Sequence, residues 1–202
     1  MRRITFLLCS ALIASTVFAG EKTDSVKVDP AVYADSQVVL ETSLGDIVLD
    51  LYPNVAPRHV TNFTRLVTMG FYDSLTFHRA IPGTLIQGGS PDGSPTGQGP
   101  WKVVAEFSTL KHDDGTIAMA RPNDINGATC QFYISLRAMP FLDGKYTIFG
   151  HTADSLSLAV AHKISRVETT GKQPFPKISD LPLETVLISK AYIRAKPESK
   201  KP

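Results

Sequence analysis

Nine short strand-like runs against only two helical patterns most constrain the fold of this chain. Gln37–Thr42 and Asp46–Leu51, joined by Ser43-Leu44-Gly45, read as a hairpin. Further strand-like runs are Thr76–Arg79, Leu85–Gln87, Thr116–Met119, Gln131–Ser135, Tyr146–Phe149, Ile164–Glu168 and Thr185–Ile193. Pro57 suits the first turn of a helix, where its missing N–H costs nothing. Val60, Phe63, Leu66 and Val67 then recur at three- and four-residue spacing, with Gly70 as a stop. The second helix is expected over Asp154–His162, with Leu156, Leu158, Ala159 and Ala161 at its apolar positions. This inventory does not suggest a doubly wound parallel sheet. It suggests a closed antiparallel barrel or a sandwich, and closure would remove exposed strand edges.

Residues 1–19 read as a signal peptide: Arg2 and Arg3, an apolar run Ile4–Phe18, then Ala19 as the cleavage position. That apolar run is 15 residues long, short of the roughly 20 that span a bilayer. An uncleaved anchor is the alternative, and no stable membrane insertion is expected after cleavage. Of 202 residues, 183 would remain, enough for one domain with a sizeable core. Loss of Arg2 and Arg3 leaves 19 basic and 19 acidic residues, which argues against a nucleic-acid binder. The expected layout is a flexible lead over 20–36, the folded domain over 37–194 and a loose tail over 195–202. Cys130 is alone in the mature chain, so no internal disulfide forms and the core must hold the fold. It reads as a small buried hydrophobe; a nucleophile would need a base that the sequence does not offer.

Several chemistries find no motif. The loop from Gly88 to Pro100 lacks the Gly-Lys-Ser/Thr ending of a phosphate cradle. His59, His78, His112, His151 and His162 show no helical zinc spacing, so no metal is expected. No Gly-x-Ser-x-Gly elbow is present. Asn62-Phe63-Thr64 matches a glycosylation sequon but falls in the first predicted helix, beside an inward phenylalanine, and is taken as coincidence.

Phe77–Gly89 reads as strand, turn and strand, with Arg79 and Gln87 set among apolar neighbours. They are either two outward surface residues or a guanidinium and an amide positioned over a concave apolar surface.

Phe77–Gly89, Gly115–Arg121, Gln131–Ile134 and Phe141–Gly150, in this order and spacing, closely resemble the cyclophilin-type peptidyl-prolyl cis-trans isomerases. The similarity runs from about Val38 to Ile193. It implies an all-β fold, a closed eight-stranded antiparallel barrel with a helix at each end. It also implies cofactor-free rotation of X–Pro bonds in unfolded or partly folded polypeptides. By the same resemblance Arg79 is the catalytic arginine, and Gln87 binds the substrate backbone and steadies that arginine. Leu85, Tyr133 and Leu142 match the proline pocket, Ala120 and Gln131 the neighbouring groove, and Arg121 a residue that holds peptide through its backbone.

Four positions depart from the family pattern: Thr84 replaces a pocket phenylalanine, Phe141 a tryptophan, Tyr146 a histidine, and Ser90 an aspartate. A weaker hold on the proline ring and on cyclosporin is expected. A proline-peptide-binding module with little turnover is the alternative function. The short leader resembles that of bacterial periplasmic members, so a periplasmic monomer is expected, with secretion as the alternative.

Overall fold

The computed structural model describes residues 31–174 and 178–197. The leader and the last tail residues lie outside the described residues. The described part of the expected lead holds a short helix, α1 (Ala31–Ala34).

Eight strands close into one antiparallel barrel. They are β1 (Ser36–Thr42), β2 (Gly45–Leu51), β3 (Leu75–Ile81), β4 (Leu85–Ser90), β5 (Thr116–Met119), β6 (Phe132–Ser135), β7 (Ile148–Thr152) and β8 (Leu187–Ala195). Their order around the barrel is β1-β2-β7-β5-β6-β4-β3-β8, with β8 returning to β1. Every barrel strand therefore has two neighbours, as a chain without disulfides needs. Of the two architectures that the pattern allowed, the barrel is the one formed.

Side-chain alternation fills the interior. Val38 and Leu40 of β1 and Ile47 and Leu49 of β2 point into the core. So do Ile86, Ile117, Met119, Phe132, Ile134 and Phe149 of the strands that follow. Helix α2 (Pro57–Thr68) closes one end with Val60, Phe63, Leu66 and Val67 buried, the face predicted from spacing. The Phe63 ring lies 5.1 Å from those of Tyr72 and Phe149 and 5.5 Å from that of Phe132. Gly70 stops the helix at φ 67°, a left-handed conformation that glycine adopts without cost.

The start of α2 is capped from a distance. Ala56 offers no side-chain acceptor at the N-cap. Instead the Glu106 carboxylate accepts the Arg58 and His59 N–H groups at 3.1 and 3.0 Å, and meets His59 Nδ1 at 2.7 Å. Burial pushes this carboxyl upward, but the His59 ring and the two N–H groups outweigh it and hold it below its ordinary value.

Helix α3 (Ser155–Ser165) closes the other end, with Asp154 accepting from the Ser157 N–H at 2.7 Å as its N-cap. Two expectations need correction here. Ile164–Glu168 is not a strand: Ile164 and Ser165 form the last turn of α3, and Ile164 is buried one turn beyond Ala161. A short apolar run does not distinguish the two states. Leu156 is not on the inward face but 78% exposed. Ser157 is buried instead, because its hydroxyl accepts the Val48 N–H at 2.9 Å.

Cys130 is a free, buried core residue whose thiol is pushed up by burial. The Asn62 amide is also buried and donates to the Thr129 carbonyl at 2.6 Å, so it is unavailable for glycosylation. Among the described residues no metal-holding cluster is found, and no helix is long and apolar enough to cross a membrane.

Candidate active site

A one-residue bulge in β3 aims Arg79. Phe77 opposes Gly88 and Arg79 opposes Gln87, so His78 is the extra residue. In a regular strand Phe77 and Arg79 would share a face. The bulge sends Phe77 into the core and Arg79 to the outer wall. Gly89 serves the same corner: at φ 82°, any β-carbon there would lie 2.8 Å from the Cys130 carbonyl oxygen and 2.9 Å from the Tyr72 ring. His78 is buried, with no partner for either ring nitrogen. Burial first, and then the Arg79 charge, lower its pKa to about 4, against a smaller upward pull from Asp92 and Gln131.

Register then builds a row across five strands. Arg79 pairs with Gln87, Gln87 with Tyr133, Tyr133 with Ala118, and Ala118 with Ile148. Side chains opposite one another stand about 5 Å apart. Beyond the two polar residues the row is apolar. Ala118, Tyr133, Met139 and Ile148 form a second hydrophobic cluster, separate from the barrel core. Leu85, Ala120, Leu142, Tyr146, Tyr52 and Leu110 pack against it, partly exposed. The outer wall therefore carries an apolar surface with a guanidinium at one edge.

The polar edge is oriented by a chain of amides. Gln131 Nε2 donates to the carbonyls of Gly97 at 2.7 Å, Pro95 at 3.2 Å and Ser94 at 3.5 Å. Its Oε1 must then face Gln87, whose Nε2 donates to it at 2.9 Å. Gln87 thus presents its Oε1, which has no donor among the described residues. The structure forms no Arg79–Gln87 hydrogen bond. The nearest ionic partner of Arg79 is Asp180, with Nε and Oδ2 3.7 Å apart.

The apolar wall has its own support. The Tyr133 hydroxyl meets His112 Nε2, and His112 Nδ1 lies 3.0 Å from Asp143 Oδ1. An ionised carboxylate only accepts, so Nδ1 carries a proton, and in the neutral ring Nε2 then accepts from the Tyr133 hydroxyl. The His112 N–H and ring, with Lys111, pull the Asp143 carboxyl down to about 2. Burial pushes the Tyr133 phenol well above its usual range.

Arg121 lies with its guanidinium 4.8 Å from the Tyr146 ring centre. Its N–H groups donate to the carbonyls of Lys145, Pro122 and Asn123. The side chain is a staple between loops. Its backbone N–H and C=O make no backbone hydrogen bond among the described residues.

The wall thus brings together Arg79, Gln87, Leu85, Tyr133, Ala120, Leu142 and Tyr146, with Gln131 behind and Arg121 above. Phe141 is not among the residues packed against this cluster. Thr84 lies at the β3–β4 turn, its hydroxyl 3.3 Å from the Pro82 carbonyl oxygen. Phe141, in a 3₁₀ turn over Pro140–Leu142, is 61% exposed. The usual aspartate replaced by Ser90 has a local substitute, since Asp92 accepts from the Ser90 hydroxyl at 2.8 Å. Sequence reading missed Asp180, His112 and Asp143 as neighbours of the site; each reaches it from a loop, and only Asp143 lies in a segment that the resemblance marks.

Comparison with known proteins agrees with this geometry. Residues 37–192 match the family model for cyclophilin type peptidyl-prolyl cis-trans isomerase/CLD. The chain belongs to that family. Its activity is accordingly peptidyl-prolyl cis-trans isomerisation. A peptidyl-prolyl cis-trans isomerase of Synechococcus elongatus is 43% identical over 129 residues, covering 64% of this chain and 88% of the relative. The Homo sapiens peptidyl-prolyl cis-trans isomerase-like 1 is 36% identical over 173 residues, covering 82% of this chain and 96% of the relative. Among solved structures, a Cryptosporidium parvum cyclophilin-type isomerase crystallised in the presence of the dipeptide Ala-Pro has a TM-score of 0.70 and 27% identity, covering 79% of this chain and 99% of that one.

Proposed function

We propose that this chain turns X–Pro bonds non-covalently, with Arg79 stabilising the twisted amide and the outer apolar cluster holding the proline ring. The row from Arg79 to Ile148 carries this reading.

Amide resonance sets the barrier to rotation, about 18–20 kcal/mol. Midway through the turn resonance is lost, and the prolyl nitrogen becomes pyramidal and regains its lone pair. A donor aimed at that nitrogen is satisfied only there, so it favours the transition state over both planar forms. Arg79 supplies such a donor with a permanent charge. Leu85, Tyr133 and Leu142 hold the ring, with Tyr146 at their edge. The Gln87 Oε1 and the Arg121 backbone hold the chain, while the segment on the other side of the bond rotates.

A ring pocket of this kind gains roughly 0.8 kcal/mol per buried methylene. Affinity for one proline site is then modest, which suits a folding helper that releases many clients. The leader-like residues 1–19 support action on exported, folding polypeptides in the periplasm, and N-terminal sequencing of the exported protein checks cleavage after Ala19.

The test of the mechanism is a protease-coupled assay on a proline tetrapeptide. Wild type accelerates the slow phase, and Arg79→Ala loses most of that acceleration with the fold intact. Equal rates for the two proteins would remove Arg79 from the chemistry. Peptide binding without acceleration by either would make the chain a binding module.

A further inference from the structure

The nearest counter-charge to Arg79 comes from a loop that no motif marks. Asp180 lies between α3 and β8, its Oδ2 3.7 Å from Arg79 Nε. The backbone of Asp180 is fixed on both sides: its carbonyl accepts the Ala80 N–H at 2.9 Å, and its N–H donates to the Gly171 carbonyl at 2.8 Å. The strand residue that follows Arg79 therefore holds the loop carrying Asp180. The Asp180 φ of 57° is left-handed, which aspartate and asparagine tolerate and most side chains resist.

The contact is made on one edge of the guanidinium. Among the described residues no guanidinium nitrogen of Arg79 makes a hydrogen bond, the Asp180 contact being an ion pair, and the Gln87 amide N–H is committed to Gln131. The Arg79 side chain is 41% exposed and the Asp180 side chain 18%.

We propose that Asp180 is a positioning residue for Arg79. It holds the guanidinium by its Nε edge and turns the terminal N–H groups toward the prolyl nitrogen. This rests on the reading of Arg79 as the donor to that nitrogen. An unheld arginine has many rotamers, and freezing one at the transition state costs entropy that a held side chain has already lost. The carboxylate approaches the Nε edge and leaves the two terminal nitrogens unoccupied.

The backbone conformation selects the variants. Asp180→Asn keeps a residue that accepts the left-handed backbone and removes the charge. Asp180→Gly removes the side chain without strain. The full chain is assayed with an uncharged proline tetrapeptide, together with 15N relaxation of the Arg79 Nε–H. Asp180→Asn is expected to lower kcat about fivefold, the scale of one exposed ion pair, at unchanged KM and Tm. The order parameter of Arg79 Nε falls with it, and Asp180→Gly behaves alike. Added salt lowers the wild-type kcat toward that of Asp180→Asn and leaves the variant unmoved. Wild-type kcat and Nε order in Asp180→Asn, with Arg79→Ala inactive, overturns the role of Asp180 and leaves that of Arg79. Full activity in Arg79→Ala overturns both.

Discussion

The Tyr133 hydroxyl and the His112 ring are joined at 2.9 Å, their planes parallel to within 9° and their centres 5.9 Å apart. Tyr133→Phe removes the donor and leaves a buried His112 nitrogen unpaired. That costs about 1–3 kcal/mol of stability. The ring facing the apolar wall is retained, so kcat/KM stays close to wild type. Urea unfolding beside the isomerase assay checks both halves.

His78 makes stability depend on pH. Its folded pKa is about 4 and its ordinary value 6.5. Between those values the unfolded chain binds the extra proton, so stability rises with pH across this window and is lost as pH falls toward 4. The full span corresponds to roughly 3 kcal/mol. His78→Gln is expected to flatten the difference between urea midpoints at pH 7 and pH 4.5. An undiminished difference would locate the effect elsewhere.

Glu106 links a loop to the first turn of α2. Glu106→Ala frees two helix N–H groups and the buried His59 nitrogen, and costs about 1–3 kcal/mol. Because this carboxyl is held below its ordinary value, its contribution is complete above that value and fades as pH falls through the depressed one. Thermal melts of the variant at pH 7 and pH 4 check the sign: its deficit against wild type shrinks at the lower pH.

Gly89→Ala is expected to destabilise by about 2 kcal/mol or more, since it combines a left-handed backbone with a β-carbon 2.8 Å from a carbonyl oxygen. Its readout is the yield of soluble protein and its melting temperature. Gly83→Ala, at a left-handed glycine with no atom within 4 Å of the added carbon, isolates the backbone cost.

Local signals carried much of the fold. The Pro57 start, the Val60–Val67 spacing and the Gly70 stop placed α2, and β5 has the predicted bounds Thr116–Met119. The second helix was found with part of its face misplaced: Ala161 and Leu158 turn inward as expected, but Leu156 is exposed and a serine satisfied by the β2 backbone is buried instead. Of the site, Arg79 and Gln87 were visible as polar residues in apolar company. Gln131 and the apolar wall were reached through the family resemblance, and Asp180, His112 and Asp143 were not reached at all. Register across five strands is set by pairings far apart in sequence, and the bulge at His78 breaks the period on which alternation depends. Asp180, His112 and Asp143 arrive on loops, whose paths have no short-range code.

The amide chain behind Gln87 ends on three main-chain oxygens, at Ser94, Pro95 and Gly97. Every residue type owns such an oxygen. Side chains along that segment can therefore drift through evolution while the path of the chain stays fixed. A change of length there would reverse, two links away, which end of a glutamine greets an arriving client.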